Sequence, residues 1–139
     1  GYHTYVLLGD GEMGEGSIWE ALMLAGHLRL PNLTAIIDRN GLGATASTED
    51  MLMLEPLQDR LEAFGWTAVS VDGHDIPALV TALQSERTDR PLAVIANTVK
   101  AKGVDFMEND VRWHHKVPNE LEAEKARCSL NGTDEACDL

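Results

Sequence analysis

The residues most able to do chemistry lie in two short turns. The first, Gly9-Asp10-Gly11-Glu12-Met13-Gly14, has the spacing GxGxxG and continues as Glu15-Gly16. Such a turn, set between a strand and a helix, lets a pyrophosphate approach backbone N–H groups at the helix start, where peptide dipoles favour negative charge. Here the turn also carries three carboxylates, Asp10, Glu12 and Glu15. Close like charges repel strongly in a partly dry site, so an anionic ligand here needs an interposed cation. Magnesium fits that need, because it takes hard oxygen ligands, few of them from protein, with phosphates and water completing an octahedron. Asp10 is placed to supply one ligand, while Glu12 reads as a solvated or dipole-stabilising carboxylate and Glu15 is divided between that role and a functional one.

The second turn follows thirty residues later and reads Asp38-Arg39-Asn40-Gly41-Leu42. Asn40 offers a neutral carbonyl oxygen to a site already holding a carboxylate and a diphosphate. Gly41 lets the backbone turn to expose the Leu42 carbonyl. A third reactive stretch is Trp113-His114-His115-Lys116. An imidazole there can donate to phosphate or hydroxyl oxygen near neutral pH. His3, His27 and His74 read as structural, Lys100 and Lys102 as solvated loop charges, and Trp19 and Trp66 as packing residues.

Positioning these groups falls to alternating strands and helices. His3 to Leu8 is an apolar run stopped by the glycine-rich turn. Ser17 and Glu20 have the spacing of a capping box ahead of Ile18, Ala21, Leu22, Ala25 and Leu28, a helical face that ends at Pro31. Residues 33 to 38 form a second strand, and about ten residues of turn chemistry follow. Pro56 fits a helix first turn ahead of Leu57, Leu61 and Phe64, and Gly65 ends that helix. A third strand spans 66 to 71, Asp75 caps a helix through Leu83, and residues 91 to 97 return as a fourth strand. This alternation predicts an α/β fold, a doubly wound and mostly parallel sheet with helices on both faces. Residues 98 to 118 form an overlong loop of the kind that carries function. A polar helix from Asn119 to Ser129 and an acidic tail complete the chain.

The 139 residues carry 11 Lys and Arg against 23 Asp and Glu, a net charge of −12. That excess repels phosphate backbones and anionic lipid head groups, which argues against nucleic-acid and membrane partners. No apolar run is long enough to cross a bilayer, and no secretion signal is visible, so the expected compartment is cytoplasmic. In that compartment Cys128 and Cys137 read as free thiols. A first residue of Gly rather than Met, running almost at once into a strand, suggests a piece of something longer.

The segment GDGEMGEGSIWEALMLAGHLRLPNLTAIIDRNGL resembles the thiamine-diphosphate motif, GDG followed about thirty residues later by Asn. With YHTYVLL, AFGW, DGHD, KAKGVDFMEND and WHHKVPN in the same order, the chain to about Asn119 is similar to transketolase. The resemblance implies that residues 1 to 118 are the C-terminal portion of the domain that holds thiamine diphosphate and Mg²⁺, with 119 to 139 appended. It implies that Asp10, the Asn40 side chain and the Leu42 carbonyl hold Mg²⁺, and that Gly11 and Asn40 contact the diphosphate within the turn opened by Gly9. The catalytic candidates it implies are His114 and Glu15: Glu15 falls at a cofactor-proximal subunit interface, in an interface or proton-relay role, and His114 aligns with the histidine that approaches diphosphate and sugar, with His115 one residue away.

The implied activity is transfer of a two-carbon ketol unit between sugar phosphates. The implied partner is a pyrimidine-binding transketolase C-terminal subunit or domain, in a dimer or heterotetramer of the split-transketolase type. A deoxyxylulose-phosphate synthase or ketoacid dehydrogenase E1 component is the alternative within thiamine chemistry, disfavoured by the loop from Lys102 to Asn119. A nicotinamide-dependent oxidoreductase would place Asp38 on a ribose and leaves Asn40 without a role. A non-catalytic paralogue would retain the fold alone.

Overall fold

A computed structural model describes residues 1 to 85 and 89 to 132. Four strands, β1 (Thr4–Gly9), β2 (Leu33–Arg39), β3 (Thr67–Asp72) and β4 (Leu92–Asn97), form one parallel sheet in the order β1-β2-β4-β3. Among the described residues five α-helices accompany them: α1 (Gly16–His27), α2 (Thr48–Met51), α3 (Leu57–Ala63), α4 (Ile76–Leu83) and α5 (Glu120–Asn131). The predicted α/β class with a parallel sheet is what the chain adopts.

Burial follows strand position. Residues 92 to 96 of the interior strand β4 are all buried, which is why that segment reads as an unbroken apolar run. The edge strand β1 buries only Leu8 fully. Successive side chains on each strand serve opposite faces. Ala35, Ile37, Ala93 and Ile95 join Leu22 and Ala25 of α1 and Leu57 and Leu61 of α3 in the larger core. Leu92 and Val94 pack with Ala82 of α4 in the smaller one. Trp66 anchors the larger core at 2% exposure and donates its indole N–H to the Leu22 carbonyl at 2.8 Å. Gly26 lets α1 come close to the end of α3, since a Cβ there would lie 1.9 Å from the Phe64 carbonyl oxygen.

Several local expectations are corrected. Helix α1 begins at Gly16 with Glu15 as its N-cap and no side-chain cap bond, so the Ser17–Glu20 box does not form. Ser17 lies one residue inside the helix. Pro56 is the N-cap residue of α3 and not a member of its first turn. The stretch after β2 is not turn alone: Ser47 accepts the Asp50 N–H at 3.1 Å and caps the short helix α2. Asp75 does cap α4, accepting from the Ala78 N–H at 3.0 Å. A true capping box starts α5, between Asn119 and Glu122. Cys128 is buried and disulfide-bonded, which overturns its reading as a free thiol; Cys137 lies outside the described residues. Among the described residues no helix is long and apolar enough to cross a membrane.

Candidate functional site

The carboxyl ends of β1, β2 and β4 open onto one cavity of about 380 Å³. Parallel pairing explains why the two reactive turns meet there. Gly9 sits opposite Asp38 in the β1–β2 register, so the chain leaves both strands side by side at Asp10 and Arg39. The turns then approach so closely that a Cβ on Gly11 would lie 3.5 Å from the Gly43 Cα. Gly41 has φ +77°, a conformation that suits glycine and turns the chain back toward Asp10.

Gly9, Asp10, Gly11, Asn40, Leu42 and His114 all line this cavity. His115 does not, although its ring centroid lies 4.7 Å from that of His114. Glu15 is also outside the cavity lining; it is exposed at the start of α1. Glu12, exposed in the first turn of a short 3-10 helix, also lines the cavity and accepts the Gly9 N–H at 3.1 Å. Lys100, half-buried, lines the same space and brings a positive charge to it. Lys102 stays exposed, 3.8 Å from Glu108.

Asp10 is 2% exposed and densely bonded. Its Oδ1 accepts the Gly11 N–H at 2.8 Å, and its Oδ2 accepts the Gly41 N–H at 2.6 Å and Arg39 Nη1 at 3.0 Å. Asn40 Oδ1 accepts the Leu42 N–H at 3.0 Å, which fixes the loop that follows β2. Asp38 is hydrogen-bonded to Thr98 Oγ1, which ties the end of β2 to the segment after β4. His74 likewise accepts the Val99 N–H at 2.7 Å and braces that segment, in keeping with its structural reading.

Arg39 is the residue that sequence reasoning missed. Its side chain, 10% exposed, donates to Asp10, to Thr48 at 2.6 Å, to Glu49 at 2.6 Å and to Glu55 at 3.1 Å. Burial pulls this guanidinium toward losing its proton, but the bonds to Asp10 and Glu55 outweigh that and hold its pKa above the ordinary value. Glu55 is held below the ordinary carboxylate value, chiefly by the Leu57 N–H and also by Arg39. A basic residue at the end of an apolar strand carries no sequence signal for this role. Its partners are scattered from position 10 to position 55 and meet only in the fold.

The chemistry on offer is that of hard oxygen donors beside backbone amides. Asp10 carries a carboxylate, Asn40 a side-chain amide and Leu42 a backbone carbonyl, and all three residues line the same cavity. Among the described residues no three His, Cys, Asp or Glu side chains cluster to hold a metal by themselves. Such a mixed set suits a small hard cation that shares its shell with phosphate oxygens, and it does not suit a soft metal.

A doubly wound parallel sheet whose glycine turns converge on a cavity at the strand ends defines an α/β domain that binds a phosphorylated cofactor. Residues 1 to 135 match the family of the transketolase thiamine diphosphate binding domain, and the chain belongs to that family. It is 43% identical over 127 residues to an apulose-4-phosphate transketolase subunit of Phocaeicola vulgatus, covering 90% of this chain and 45% of that protein. The Actinobacillus succinogenes protein of the same name is 46% identical, with 88% and 45% covered. Rat transketolase is 43% identical over 115 residues, with 83% and 18% covered. Among solved structures, transketolase from Campylobacter jejuni superposes on 99% of this chain and 24% of its own, with a TM-score of 0.83 and 28% identity. The chain thus spans less than half the length of these relatives.

Proposed function

We propose that this chain is the magnesium- and diphosphate-holding part of a transketolase-like enzyme that moves a two-carbon ketol unit between sugar phosphates. The observation that carries this reading is the convergence of Asp10, Asn40, Leu42 and His114 on one cavity in a chain of this family. Asp10, the Asn40 side chain and the Leu42 carbonyl would hold Mg²⁺, and the turn from Gly9 to Gly11, with Asn40, would hold the diphosphate. Thiamine diphosphate, when bound, supplies the nucleophilic carbon and the electron sink.

The chain's own groups anchor and orient. Lys100 offsets diphosphate charge from the cavity wall. His114 offers an imidazole N–H to diphosphate or to a sugar hydroxyl. Glu15, outside the cavity, fits an interface role better than contact with the cofactor.

The pyrimidine-binding half of the site would come from a partner subunit or domain, in a dimer or heterotetramer. The two bacterial relatives, each named as one subunit of a transketolase, support that division. Calorimetric titration of thiamine diphosphate into the full-length protein, with Mg²⁺ or EDTA and with or without the pyrimidine-side partner, tests the reading. Magnesium-dependent binding that tightens with the partner is the expected result. Magnesium-independent binding, or none in the completed assembly, would overturn it.

A further inference from the structure

Among the described residues Lys100 is the only lysine or arginine that lines the cavity. A charge on a flexible four-carbon stem serves a bound anion well only when the backbone beneath it is fixed, because less freedom is then lost on binding. The next residue, Ala101, has φ +58°, a left-handed conformation that is costly for a residue with a Cβ. Hydrogen bonds on either side hold this kink. After it, the Asn109 N–H donates back to the Lys100 carbonyl at 3.2 Å. Before it, the Val99 N–H donates to His74 Nε2 at 2.7 Å.

The turn between β3 and α4 that carries His74 also grips the segment after β4 at two further points. Gly73 donates its N–H to the Asn97 carbonyl at 2.7 Å, and it has no room for a Cβ against the Thr98 side chain. His74 is itself oriented through its backbone N–H, which Asp72 Oδ1 accepts at 2.8 Å. To act as acceptor, Nε2 needs the neutral imidazole with its proton on Nδ1.

We propose that His74 is a positioning residue: by accepting the Val99 N–H it fixes the backbone from which Lys100 reaches the cavity, and so raises affinity for the cofactor's diphosphate. The inference rests on the diphosphate reading above. His74 does not line the cavity and acts through Lys100. Without this acceptor the Val99 amide turns to solvent, the kink at Ala101 loses a flanking bond, and the ammonium is no longer held toward the diphosphate.

The test is calorimetric titration of thiamine diphosphate, with Mg²⁺, into the full-length protein with its pyrimidine-side partner. His74→Gln keeps a carbonyl oxygen at about the reach of Nε2 and is expected to bind as the wild type does. His74→Asn stops short of the Val99 amide and is expected to weaken binding about fivefold, the scale of one net hydrogen bond. Both variants keep a polar side chain in an exposed turn, so the comparison does not depend on a variant that fails to fold. Lys100→Met is expected to weaken binding by about tenfold or more, as for a lost hydrogen bond to a charged group. His74→Asn/Lys100→Met is expected to bind no more weakly than Lys100→Met alone, because His74 then has nothing left to position. If His74→Asn and His74→Gln bind alike, the inference fails while the functional reading stands. If the loss from His74→Asn persists in full beside Lys100→Met, His74 acts on the fold at large and not through Lys100, and the inference fails. If the wild-type assembly binds no thiamine diphosphate, the functional reading falls and the inference with it.

Discussion

Asp10 Oδ2 lies 3.0 Å from Arg39 Nη1, with the two side chains 1% and 10% exposed. They follow the paired residues Gly9 and Asp38 at the ends of adjacent parallel strands, so the sheet register itself brings acid and base together. Breaking one member of such a buried pair leaves the other poorly compensated. Asp10→Ala is therefore expected to abolish magnesium-dependent binding of thiamine diphosphate and also to cost roughly 1–3 kcal/mol of stability. Calorimetry and chemical denaturation read the two effects; unchanged affinity would remove Asp10 from the metal site.

His114 faces the cavity and its neighbour His115 does not. In the complete enzyme His114→Ala is expected to lower turnover on the order of 100-fold while the melting temperature moves little. His115→Ala is expected to change neither by a comparable amount. Equal losses of rate and stability in the His114 variant would assign that residue to packing.

The contact between α1 and the end of α3 depends on the missing side chain at position 26, where a Cβ would lie 1.9 Å from the Phe64 carbonyl oxygen and 2.9 Å from its carbon. Backbone cannot swing aside as a flexible side chain can. Gly26→Ala is expected to destabilise the domain by about 1–3 kcal/mol. A denaturation midpoint equal to that of the wild type would show that the two helices can separate without cost.

Stability should fall on the acid side through Glu55. Its pKa lies below the ordinary 4.5 because the Leu57 N–H, and after it Arg39, favour the charged form. A depressed carboxylate contributes stability that is fully present above its unfolded value and is lost as pH falls through its lower folded value. Glu55→Gln is expected to flatten the decline in melting temperature below about pH 4.5 and to leave its slope near pH 7 unchanged. The side chain is half exposed, so the effect is a screened one, and a wild-type acid limb in the variant would refute it.

Much of this protein is written in local pattern. Strands that read as apolar runs, as in residues 92 to 96, indicated the parallel sheet, because only a strand covered on both faces can be apolar at every position. The two glycine turns and their thirty-residue spacing pointed to Asp10, Asn40 and Leu42, because the chemistry of a bound diphosphate restricts which residue types can surround it. Boundary details were less legible: a serine and a glutamate three apart mimic a cap at Ser17, whereas the observed N-cap is Glu15. The tertiary structure alone decided the rest. That His114 and not His115 lines the cavity depends on how a long loop lies across the strand ends. That Arg39 holds Asp10 depends on sheet register and on partners at positions 48, 49 and 55. Periodicity and spacing report on neighbours along the chain, while a buried ion-pair hub is made by segments that meet only when the sheet closes.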